Sequence, residues 1–160
     1  MNVVIPNTTG QIEDARLILR EYYDELLKID TSVQEFNDEV AGLPGNYAPP
    51  DGALLLAVEG QEAAGCVALK KIEDGLCEMK RLFVKPEYRG HGFGRLLAER
   101  IIEEAIELGY ASMRLDTLDW LKESICLYQS LGFKQIPPYD INPPPGLVYW
   151  ELKLKNSNCP

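Results

Sequence analysis

The stretch Arg89-Gly90-His91-Gly92-Phe93-Gly94 sets three glycines into five residues, directly ahead of a long amphipathic segment. Glycine adopts φ > 0 without a steric penalty and lets the backbone approach a ligand closely. A helix that starts there offers unpaired N–H donors and the positive end of its dipole. Together they describe a site for a phosphate or pyrophosphate. The helix is predicted to bury Phe93, Leu97, Ile101, Ala105 and Leu108 and to end at Gly109.

Working outward, Leu76–Val84 reads as a strand that Pro86 stops, because proline lacks the donor a ladder needs. Ala53–Glu59 and Ala63–Ile72 read as strands joined by a turn at Gly60–Gln61, and Glu73–Gly75 forms the next turn. Toward the N-terminus, Met1–Thr8 reads as a strand, Gly10–Ile29 as a helix and Ser32–Ala41 as a second, shorter helix. Beyond Gly109, Ser112–Thr117 is a strand and Trp120–Leu131 a helix capped by Gly132. Phe133–Ile136 is a strand, the proline-rich Pro137–Pro145 a loop, and Leu147–Leu154 the last strand. The order β-α-α-β-β-β-α-β-α-β-β predicts a mixed sheet with helices on both faces.

Length and charge narrow the function. One domain is the default for 160 residues, and no apolar run approaches the ~20 residues that span a bilayer. A net charge of −9 argues against nucleic acid as the main partner. Locally the balance reverses. Lys80, Arg81, Lys85, Arg89 and Arg95 face only Glu78 and Glu87 in this region, which suits a small polyanion or is a solvated basic cluster. Met1–Gly10 lacks the layout of a signal peptide. Cys66, Cys77 and Cys126 lie in apolar segments and read as reduced core thiols of a cytoplasmic protein, with Cys159 near the end. The single histidine, His91, rules out a HExxH zinc site, and no metal is expected.

Three phosphate-binding patterns can be compared. A P-loop requires GxxxxGK with Ser or Thr, which is absent. A dinucleotide fingerprint requires a third glycine where Arg95 stands. The pattern Arg/Gln-x-x-Gly-x-Gly/Ala is matched in full by Arg89, Gly92 and Gly94. The run from Met79 to Leu97 resembles the acetyl-CoA motif of the GNAT superfamily of N-acetyltransferases. Ser124–Phe133 resembles that superfamily's next helix and turn, in register with the first run.

The resemblance implies one mixed α/β domain over residues 1–155, with 156–160 as a short tail. Its sheet would be central, mixed but largely antiparallel, and splayed, with roughly six to seven strands and about four helices on both faces. Backbone amides of Gly90, His91, Gly92, Phe93, Gly94 and Arg95 would hold the pyrophosphate of acetyl-CoA. Leu82, Phe83 and Val84 would pair through their backbone with the pantetheine arm. Arg89 is either a phosphate contact or a solvated base.

Tyr128 stands at the superfamily's general-acid position and would protonate the leaving thiolate; otherwise it is a core tyrosine. Glu78 is the candidate general base, or else a strand-end carboxylate paired with Lys80. Even spacing would set Glu78 on one face with Lys80, Leu82 and Val84. Backbone N–H groups near Leu82–Phe83 would receive the developing oxyanion. Where many members carry a pantetheine-binding Asn this chain has Leu121, which leaves Ser124 as the candidate contact.

The acceptor would be a primary amine. Tyr22, Tyr23, Asp24, Glu25, Phe36, Tyr47, Tyr139, Asp140 and Asn142 are the expected lining and suit a cationic amine. A small-molecule acceptor is the main expectation. A peptide or protein acceptor, and an idle CoA-binding regulatory module, stay open. Homodimers are common in the superfamily, but no feature of this sequence requires one.

Overall fold

Thr8 opens the first helix through a capping box. Its hydroxyl accepts from the Gln11 amide at 3.1 Å, and the Gln11 side chain accepts from the Thr8 amide at 3.3 Å. The computed structural model describes residues 1–29 and 31–155. The predicted C-terminal tail and Cys159 lie outside the described residues. Strands are β1 (Asn2–Val4), β2 (Ala53–Glu59), β3 (Glu62–Glu73), β4 (Leu76–Val84), β5 (Ser112–Leu118), β6 (Lys134–Ile136) and β7 (Leu147–Lys153). Helices are α1 (Thr9–Glu25), α2 (Val33–Ala41), α3 (Phe93–Glu107) and α4 (Lys122–Ser130).

The seven strands form one sheet in the order β1-β2-β3-β4-β5-β7-β6. Only β4 and β5 run parallel, so the sheet is mixed and largely antiparallel, as expected. Helices cover both faces. On one, Leu97, Ile101 and Ala105 of α3 pack with Leu55 and Val67; on the other, Ile18, Leu19, Phe36 and Val40 of α1 and α2 pack with Leu54, Leu56 and Cys66. The sheet is buried on both sides, which is why β2 reads as an unbroken apolar run rather than an alternation. Among the described residues, no helix is long and apolar enough to cross a membrane.

Two features of β4 make the site. It pairs with β5 only through Leu76, Cys77 and Glu78, after which the strands diverge and leave one edge of β4 open. The β3–β4 register also jumps from Ala68↔Lys80 to Cys66↔Phe83, and Arg81 sits inside this bulge at φ 62°. A bulge adds a residue to one strand and bends it. The expected alternation is therefore broken. Cys77 and Met79 face the α3 side, and beyond the bulge Leu82 and Val84 pack there as well. Glu78 and Lys80 thus do not share a face with Leu82 and Val84.

Gly65 of β3 lies opposite Val84 and allows the two strands to close beside this bulge. A Cβ there would stand 2.5 Å from the Phe83 carbonyl oxygen and 3.2 Å from the Val84 Cα, both backbone atoms. Gly65→Ala is expected to destabilise the protein by about 2 kcal/mol or more, as forced overpacking does. Urea unfolding reads this directly, and an unchanged midpoint would contradict the close approach.

Two further expectations change in detail. Helix α3 stops at Glu107, so Leu108 becomes its C-cap and is 39% exposed rather than buried. Cys126 lies on the outer side of α4 and is exposed, whereas Cys66 and Cys77 are core thiols.

Candidate active site

The divergence of β4 and β5 opens a cleft of about 1140 Å³. At one end is the glycine loop. Gly92 is the N-cap of α3 at φ 88° and ψ 4°, and no side chain caps the helix. The first helical bond runs from the Leu96 amide to the Gly92 carbonyl at 3.1 Å, so the first-turn amides lack intrahelical acceptors. Gly90 (φ 81°) and Gly92 have nothing within 4 Å of where a Cβ would lie. That is an open, donor-rich cradle that fits a pyrophosphate.

Along the cleft run Leu82, Phe83 and Val84 of the open β4 edge, with Ser124 and Tyr128 on the α4 side. Gly90, Gly92, Phe93 and Gly94 border it too, whereas His91 is exposed and, like Arg95, does not line it. The Arg95 side chain turns to α4 and donates to Ser130 Oγ at 2.6 Å. Arg89 borders the cleft beside Gly90 and is not a bare solvated base. Its guanidinium makes a bidentate pair with Glu25 at 3.0 and 2.7 Å, donates from Nε to the Val84 carbonyl at 2.9 Å, and lies 5.2 Å from the Phe83 ring centroid. It ties the end of α1 to the open strand.

Tyr128 is buried between α4 and the sheet, edge-on to Phe133 at 5.7 Å. Burial first, then the nearby Tyr22 and Asp116, pushes its phenol well above the ordinary tyrosine value. Its proton is held firmly at any working pH.

Glu78 lies at the opposite end, where β4 and β5 are still paired, and is only 6% exposed. It accepts a hydrogen bond from the Tyr139 hydroxyl at 2.7 Å on Oε2. Lys70 Nζ and Lys80 Nζ stand 3.6 and 3.8 Å from Oε1. Tyr139 is itself fixed, edge-on to Tyr149 at 4.9 Å and under the Arg114 guanidinium at 5.2 Å. Burial, then the Glu78 charge, pushes the Tyr139 phenol far up, so it remains a donor.

Of the expected acceptor lining, Tyr22, Glu25, Tyr47 and Asp140 border the cleft. Tyr23 and Phe36 instead stack on each other at 4.4 Å within the α1–α2 core, and Asp24 and Asn142 are exposed away from the cleft. Lys70 and the Glu39–Arg81 pair were not expected there. Arg81 donates to both Glu39 oxygens at 2.8 Å, with side-chain exposures of 11% and 21% for the two residues. Burial raises the Glu39 carboxyl, but the Arg81 bonds and charge, with Tyr47 and Lys80, outweigh it and hold it below the usual value.

Glu39→Ala leaves the Arg81 guanidinium buried without its partner and is expected to cost about 3 kcal/mol of stability. Because the folded carboxyl value is lowered, the pair stabilises fully above the unfolded value near 4.5 and is lost as pH falls through the folded one. Denaturation midpoints at pH 7 and pH 3 measure both; a variant as stable as wild type at pH 7 contradicts the assignment.

Known proteins share this fold and sequence pattern. The family model described as "Acetyltransferase (GNAT) family" matches residues 13–133. An uncharacterized N-acetyltransferase of Schizosaccharomyces pombe is 43% identical over 145 residues, covering 89% of this chain and 88% of the relative. A GNAT-family acetyltransferase from Staphylococcus aureus superposes with a TM-score of 0.80 at 20% identity, covering 96% of this chain and 99% of its own. The yncA protein of Salmonella typhimurium, solved with its cofactor acetyl-CoA, superposes with a TM-score of 0.75 at 22% identity over 100% of this chain and 97% of its own.

Proposed function

The chain belongs to the GNAT acetyltransferase family of acyltransferases, which use acetyl-CoA, and on that premise we propose that it acetylates a primary amine of a small molecule. The observation that carries the reading is the cleft. Its glycine cradle, open strand edge, Tyr128 and Glu78 all line one cleft.

In this reading the amides of Gly90 to Arg95 bind the pyrophosphate, with His91 and Arg95 contributing backbone only. The exposed edge at Leu82, Phe83 and Val84 pairs with pantetheine as an added strand does, and Ser124 adds a side-chain contact. Backbone N–H groups near Leu82–Phe83 face the charge that develops on the acetyl oxygen. Arg89 acts as a positioning residue, holding Val84 through its carbonyl and α1 through Glu25.

The neutral amine attacks the thioester carbonyl, forming the C–N bond. Glu78 takes a proton from the nitrogen, and collapse of the tetrahedral intermediate breaks the C–S bond. Tyr128 gives its proton to the departing sulfur, and water returns a proton from Glu78 to the phenolate. The products are the amide and free CoA. A small acceptor is supported by walls on both sides of the far end, from α1, α2 and the segment after α2 (Tyr22, Tyr47) and from the proline-rich loop (Asp140, Pro144).

The test is CoA thiol release from acetyl-CoA across a panel of primary amines and peptides. Release with small amines supports the reading. Release with peptides alone replaces the acceptor class. Tight binding of acetyl-CoA with no release for any acceptor makes the protein an idle CoA-binding module instead.

A further inference from the structure

The far end of the cleft is divided by charge. On the β3–β4 side stand Lys70 and Lys80. Lys70 is the register partner of Glu78 across the β3–β4 ladder, and Lys80 lies two residues along β4 from Glu78, before the bulge. On the β5 side are Asp116 and, from the proline-rich loop, Asp140, which accepts from the Tyr149 hydroxyl at 2.6 Å.

The basic residues here differ in how they are engaged. Arg81 is fully occupied by Glu39, and Arg114 donates to Glu151 at 2.9 Å while covering the Tyr139 ring. Each of those charges is neutralised. The two lysines share one carboxylate, Glu78, and both stand beyond hydrogen-bond reach of it at 3.6 and 3.8 Å. Both ammonium groups therefore face Glu78 without spending a donor on it, and the other carboxylate near Lys80, Glu39, is itself bonded to Arg81. Lys80 is 23% exposed in its side chain and Lys70 37%, so neither is a freely solvated surface lysine. A partly desolvated ammonium gains most from an anion that accepts a charge-assisted hydrogen bond.

We propose that the acceptor is an amine that also carries a carboxylate, an amino-acid-type molecule, and that Lys80 and Lys70 bind its carboxylate while its nitrogen lies at Glu78. The proposal rests on the acetyl-transfer reading above. It replaces the expectation of a plain cationic amine, because a second cation on the acceptor would meet the lysine pair. The arrangement also assists chemistry. The two ammonium groups offset the carboxylates around the acceptor nitrogen, which on their own would favour its protonated form, and only the neutral amine attacks. Asp116 and Asp140 on the opposite wall attract the ammonium pole of the incoming zwitterion and set its direction.

The experiment compares three versions of each acceptor in the CoA-release assay: a linear amino acid, its carboxamide and the alkylamine lacking the carboxyl group. For at least one chain length, kcat/KM is expected to favour the amino acid by about tenfold or more over both partners. Lys80→Ala and Lys70→Ala should reduce that ratio, chiefly through KM for the amino acid, and Lys80→Arg should restore part of it. The ratio is read within each variant, so a general loss of activity does not mimic the effect. Carboxamides or alkylamines that serve as well as the amino acids overturn the proposal while leaving acetyl transfer intact. A ratio unchanged in both alanine variants also overturns it. No CoA release with any acceptor removes the acetyl-transfer reading, and the proposal with it.

Discussion

Tyr128→Phe is expected to lower kcat by about 100-fold or more, the loss that follows removal of a general acid. Acetyl-CoA affinity should stay within about twofold, because no binding group is removed. The argument turns on burial. Desolvation holds the Tyr128 phenol above its ordinary value, so it arrives at the reaction protonated. A phenol is normally a weaker acid than a thiol, which opposes proton donation to a thiolate in water. In the cleft, the same desolvation disfavours the thiolate, and the proton moves as the C–S bond breaks. Wild-type kcat should therefore show no fall from loss of the Tyr128 proton up to about pH 10. Phenylalanine keeps the edge contact with Phe133, so the fold survives and the melting temperature serves as the control. A variant within twofold of wild type in kcat would return Tyr128 to the core as a packing residue.

How far the sequence is legible depends on the range of the forces involved. The bounds of β2 and β4 come straight from apolar runs closed by turns and by Pro86, and the structure has them at Ala53–Glu59 and Leu76–Val84. The glycine loop is equally local: φ at Gly90 and Gly92 requires residues without a Cβ. What is not legible is register. Counting back from the turn at Asp74–Gly75 would set Lys71 opposite Glu78. A register shift between Lys71 and Glu73 brings Lys70 there instead. The Arg81 bulge is hidden for a related reason, since arginine gives no sign of a positive φ. Pairs made across the chain are hidden as well. Arg89 meets Glu25 from 64 positions away, and Tyr139 meets Glu78 from 61. The sequence therefore carries the donor end of the cleft, which one loop encodes. The far end is assembled from strands, helices and the proline-rich loop that are distant in the chain, and it becomes visible only in the fold.

Glu78→Gln is the second large expectation, a fall in kcat of about 100-fold with the fold retained. Glutamine keeps the shape and still accepts from Tyr139, but it cannot take the amine proton. The deficit should narrow as pH rises, because hydroxide can then take the proton from the nitrogen of the tetrahedral intermediate in place of Glu78. A deficit constant with pH would mean that Glu78 only shapes the pocket. Tyr139 separates these two roles. Its hydroxyl is fixed by Tyr149 and Arg114 and donates to Glu78 Oε2, which leaves Oε1 toward the lysines and the acceptor. Tyr139→Phe removes one hydrogen bond and should lower kcat about fivefold, equivalent to ~1 kcal/mol, with KM little changed. Because Tyr139 acts through Glu78, adding Tyr139→Phe to Glu78→Gln should lower kcat much less than it does alone. Fully additive losses would show that the tyrosine acts on the acceptor directly. In the proposed mechanism Glu78 and Tyr139 act as one hydrogen-bonded pair, and the double-variant cycle measures that coupling.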